Sequence, residues 1–140
     1  MSVEIELDEI NELVDGFKKR SEKAVTAKKH FILFEKECRK WIGKFGLTRY
    51  SLDFTHQPEG TAARSTCIVD MEAVEGMINL GTNWYDFPVT NFRIREVAFH
   101  EVCELLLWPL RESLRLAISE EMVNNKIHEV IHTLSNTFFK

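Results

Sequence analysis

Apolar residues recur at every third or fourth position from Phe31 to Phe45 (Phe31, Phe34, Cys38, Trp41, Ile42, Phe45), with Lys and Glu filling the intervals. That period lays one apolar stripe along a helix, and Gly46 is well suited to end it in a left-handed turn. The period then drops to two. Tyr50, Leu52 and Phe54 alternate with Arg49, Ser51 and Asp53, as in a half-buried strand. His56-Gln-Pro-Glu-Gly60 is turn chemistry. A second strand is expected over 62–70 and a short third over 76–80, followed by a loop over 81–90 carrying Trp84, Tyr85 and Pro88. Two helices close the chain. One runs from about Phe92 to Leu107 and is stopped or kinked near Pro109. The other opens after Ser119, with Glu120 and Glu121 in its first turn and a stripe of Val123, Ile127, Val130, Ile131, Leu134 and Phe138.

Residues 1–24 show weaker helical periodicity, acidic at the start and basic at the end, an order that complements a helix dipole. They are read as a charged helical extension to a single domain over 25–140. The order of elements predicts an α+β fold: a small three-stranded antiparallel sheet packed on the 92–107 helix, with flanking N- and C-terminal helices.

Composition narrows the classes of function. The 140 residues suit one domain, and 44 % hydrophobic content, with ten Phe and three Trp, is enough for a packed core. A net charge of −4 argues against binding a phosphate backbone, so no nucleic-acid partner is expected. The longest apolar stretch, Val102–Leu110, is broken by Glu104 and Pro109 and falls short of the roughly 20 residues that cross a bilayer, so no membrane partner is expected either. The first eight residues are acidic where a signal peptide is basic. Cys38, Cys67 and Cys103 lack metal-knuckle spacing and read as free thiols. Together these features predict a soluble, cytoplasmic protein.

The chemistry concentrates in His100-Glu101-Val102-Cys103-Glu104. On a helix, His100 and Glu104 project one turn apart from the same face, with Glu101 about 100° round from His100. Two donors at that spacing can grip one ion, and the neighbouring glutamate can take a proton from a water polarised by it, which is the logic of H-E-x-x-H on a helix. Here Glu104 stands where the second histidine would be. The competing reading is an ion pair between Glu104 and Arg93, Arg95 or Arg111. Against a plain surface pair, Glu104 lies among Val102, Cys103 and Leu105–Leu107 in a helix apolar nearly all round, where an unpartnered carboxylate is costly.

The string Ala98-Phe-His-Glu-Val-Cys-Glu-Leu-Leu-Leu107, after three strands and before a Glu-Glu-opened helix, resembles the small zincin-type metallopeptidase domains common in phage genomes, similar in outline to SprT-like and minimal gluzincin domains. Phe34–Leu47 leading into Tyr50-Ser-Leu-Asp-Phe54 resembles their first helix and strand, so the likeness covers roughly residues 30–140. It implies a metal-dependent hydrolase acting on a peptide or protein, with Zn2+ held by His100, Glu104 and a residue of the last helix, and Glu101 as general base. In gluzincins the third ligand is a glutamate opening a later helix. Glu121 matches that role, with Asn125 one turn on as support; His128 is the alternative ligand, or a residue that would bind the transition-state oxyanion. A carboxylate at 104 makes the site more anionic and Mn2+ a more serious competitor for it. Zincins bind extended peptides along a sheet edge, for which the 76–80 strand is the expected one. The alternative of another class is a catalytically inactive zincin-fold binding module, a phage protein acting on a host or virion partner. Trp84, Tyr85 and Phe87 are candidates for a cleft wall, Cys103 for a buried thiol, and His30, His56 and His132 for histidines without partners.

Overall fold

The computed structural model describes residues 10–11, 24–61 and 63–139. The helix expected over 1–24 therefore lies almost wholly outside the described residues. The remaining elements follow in the order α1 (Lys28–Phe45), β1 (Ser51–Gln57), β2 (Ser65–Asp70), β3 (Glu75–Gly81), α2 (Asn91–Leu106), α3 (Trp108–Leu114) and α4 (Glu120–Phe138). The fold is α+β.

Helix α1 buries the stripe Phe34, Cys38, Trp41 and Ile42 and ends at Gly46, whose φ of 68° is left-handed backbone that glycine adopts without a Cβ penalty. Helix α2 starts at Thr90, whose side chain accepts from the Arg93 amide. It buries residues on almost every side, among them Ile94, Ala98, Phe99, Val102 and Leu105. These two helices pack together on one face of the sheet. The opposite face exposes Asp53, Ile68 and Met77, so the alternation read in the strands does mark one buried side.

The sheet is mixed, which corrects the antiparallel expectation. Its order is β1-β3-β2: β3 pairs antiparallel with β2 and parallel with β1. A period of two is the same for both kinds of pairing, so the sequence pattern does not distinguish them. The central place goes to β3, whose Ile78 and Leu80 are fully buried. The 71–74 turn holds β2 against one side of β3, leaving the other side for β1, which then runs parallel to β3. Strand β1 also extends through His56 and Gln57, two residues into the expected turn.

Pro109 does not simply end a helix. Helix α2 stops at Leu106, and α3 begins at Trp108 with Pro109 in its first turn, a position where the missing amide hydrogen costs nothing. Ser119 caps α4 by accepting from the Met122 amide. Val123, Ile127 and Ile131 are buried as expected, whereas Val130 and Phe138 are about half exposed. Phe138 still meets the rings of Trp41 and Phe99 at 5.3 and 5.5 Å.

Candidate metal centre

Helices α2 and α4 and strand β2 enclose a cleft of about 900 Å³. Helix α2 supplies His100, Glu101 and Glu104 to it; α3 supplies Trp108 and Arg111, and α4 supplies His128. His128 reaches the cleft because it follows Ile127 on α4. Burying Ile127 against the core turns His128 about 100° round, towards α2.

Glu104 Oε1 lies 2.9 Å from His128 Nε2 and 3.5 Å from His100 Nε2. Its other oxygen, Oε2, accepts from Arg111 Nη2 at 2.7 Å. Arg111 donates its other terminal nitrogen to Asn124 Oδ1. The ligand-capable atoms of His100, Glu104 and His128 all lie within 4.8 Å of one another, so this group could hold a metal ion. Bonds of about 2.0–2.1 Å to a tetrahedral ion would set the donors about 3.4 Å apart. Two of the separations, 2.9 and 3.5 Å, bracket that value. Two imidazoles and one carboxylate also form a donor set that suits zinc, and Arg111 on the far oxygen orients the carboxylate as an outer partner. The residues fit the group.

Glu121 is exposed and outside this cluster. It stands two turns ahead of His128 on α4, beyond the reach of the same ion, and its place in the first turn favours the helix dipole instead. Of the two alternatives for the last helix, His128 joins His100 and Glu104. Asn125 is exposed; the supporting amide is Asn124, which sequence reasoning missed. Arg111 was among the candidate ion-pair partners, and the ion pair and the ligand geometry occur together.

Glu101 is buried and accepts from Ser65 Oγ of β2 at 2.6 Å. Burial pushes its carboxyl up to about 7, with the positive His100 and the Ser65 bond pulling the other way. Burial alone would also raise Glu104. The His100 hydrogen bond and the Arg111 guanidinium outweigh it and hold that carboxyl down at about 2. Burial disfavours protonation of His100, but its bond to Glu104 and the charges of Glu101 and Glu104 raise it on balance. Cys67 lines the cleft, where burial pushes its thiol far above the usual range, and it is not part of the His100, Glu104 and His128 group.

Other expectations resolve similarly. Cys103 is buried. Trp84 is core, its indole N–H donating to the Arg64 carbonyl at 3.1 Å, while Phe87 lines the cleft and Tyr85 is exposed. His132 is exposed on the cleft wall. His30 and His56 do have partners: His30 Nδ1 accepts from the Ala27 amide, and His56 bonds Thr26 Oγ1 at 2.8 Å while stacking on Phe31. No helix among the described residues is long and apolar enough to cross a membrane.

No protein-family model matches the chain, and comparison with curated proteins and with solved structures gives no significant match.

Proposed function

We propose that the cleft is the active centre of a zincin-like, metal-dependent hydrolase that cleaves peptide bonds. The observation that carries this is the convergence of His100, Glu104 and His128 beside the buried acid Glu101. A divalent ion held by those three residues would supply Lewis-acid polarisation of a water or a carbonyl oxygen. Zinc is favoured over manganese because two of the three donors are imidazole nitrogens. Glu101, buried beside those three residues, would take the proton from the attacking water and return it to the leaving amine. Ser65 holds that carboxyl in place from β2, and Arg111 with Asn124 keeps Glu104 oriented. The sheet edge available to an extended peptide is β2, which lines the cleft; β3, the expected edge, is the central strand.

One observation favours the second reading, a binding module without catalysis. Glu104 already has a cationic partner in Arg111, so its burial can be balanced with no ion present. Elemental analysis of purified protein, followed by peptide-hydrolysis assays with zinc restored, separates the two. The hydrolase reading expects one equivalent of zinc and hydrolysis that Glu101→Gln abolishes while the zinc stays bound. A folded protein that takes up no divalent ion overturns it.

A further inference from the structure

Arg64 stands immediately before β2, next to the Ser65 that holds Glu101, and lines the cleft. Its backbone is anchored twice. The Arg64 carbonyl accepts from the Gly81 amide at 2.8 Å and from the Trp84 indole at 3.1 Å. Its guanidinium lies 4.6 Å from the centroid of the Phe87 ring and 5.8 Å from that of Trp84, contacts that hold the cation in position without using its hydrogen-bond donors.

The other arginines of the cleft are already paired: Arg111 with Glu104 at 2.7 Å, and Arg93 with Glu96 at 2.9 Å. Arg64 makes no ion pair among the described residues and is half-buried. A partly desolvated guanidinium with a fixed backbone, flat aromatic support and no carboxylate partner among the described residues is a receptor for a planar anion.

We propose that Arg64 selects substrates bearing a carboxylate near the scissile bond. This deepens the hydrolase reading and rests on it for turnover, though not for binding. The carboxylate has two sources, an Asp or Glu side chain or the free C-terminus of a short peptide, and either would form the same bidentate pair.

The test uses full-length zinc-loaded protein and a set of matched peptides. One arm exchanges Glu for Gln at each position flanking the cleavage site, and the other compares free-acid with amidated C-termini. The expected result in one arm is a preference of at least about tenfold in kcat/KM for the anionic member, carried mainly by KM. That preference should fall to within about twofold in Arg64→Gln and be partly restored in Arg64→Lys. Because the readout is a ratio within each protein, a loss of folded fraction cancels from it. The same peptides are also titrated into Glu101→Gln protein by fluorescence anisotropy, with and without the Arg64→Gln change. If no peptide is cleaved by the unaltered protein, the hydrolase reading falls, and the anisotropy ratio alone decides the role of Arg64. Equal affinity for both members of every pair, or a preference that survives Arg64→Gln, overturns the proposal.

Discussion

Glu101 and Glu104 lie three residues apart on one helix, yet their surroundings push them in opposite directions. In the unfolded chain both titrate near 4.5. For Glu101, held at about 7 in the fold, the native state keeps a proton that the unfolded chain has lost, so stability falls as pH rises from about 4.5 to 7. In metal-free protein, Glu101→Gln should therefore raise stability at pH 8 by at most about 3 kcal/mol, seen as a higher Tm, and leave it unchanged at pH 4. A lower Tm at pH 8 would mean that the carboxylate is satisfied there. Glu104 has the opposite sign. Its contribution is present above pH 4.5 and is lost as pH falls towards 2. Glu104→Gln should cost up to about 3 kcal/mol at neutral pH in urea denaturation, the difference shrinking below pH 4. A third comparison concerns the last helix. His128→Ala should weaken zinc binding by at least about 100-fold, or ~2.7 kcal/mol, in competition with a chromophoric chelator. Glu121→Ala should leave it unchanged, and the reverse pattern would return the ligand role to Glu121.

At the scale of elements, the site depends on how closely β2 is held to β3. A Cβ on Gly81 would come within 2.9 Å of the Arg64 carbonyl oxygen, so Gly81→Ala should force that junction apart. The expected loss is about 1–3 kcal/mol in chemical denaturation. Gly43→Ala is the control: a Cβ there meets nothing within 4 Å in α1, and a gain of about 0.5–1 kcal/mol is expected. Equal effects would show that the Gly81 contact relaxes freely. The helix boundaries were legible where caps and breakers mark them locally, as Gly46 and Ser119 do. Pro109 was legible as a break but not as the start of α3. A proline is equally at home after one helix and in the first turn of the next, and packing decides between them.

Across the whole molecule, metal binding and folding are linked. Zinc at 100 times its Kd should stabilise the fold by about 2.7 kcal/mol, a shift of several degrees in Tm that a chelator reverses. An unchanged Tm on adding zinc and on chelation would mean that His100, Glu104 and His128 form a hydrogen-bonded cluster only. Local patterning sufficed for the α+β class, for the helix that carries His100, Glu101 and Glu104, and for pairing His100 with Glu104, two of the three residues that meet in the cluster, because a 3.6-residue period places i and i+4 on one face whatever the rest of the chain does. It did not suffice for the parallel pairing of β1 with β3, since the alternation of apolar residues is blind to strand direction. Nor could it decide between Glu121 and His128, which share one flank of α4 two turns apart. That choice follows from where burial of Ile127 docks α4 against α2. Arg64 and Ser65 come to the cleft together at the start of β2, and Asn124 reaches Arg111 from α4; nothing in the neighbourhood of either stretch records the contact. Their roles arise only when the core closes and brings β2, α3 and α4 to one end of α2.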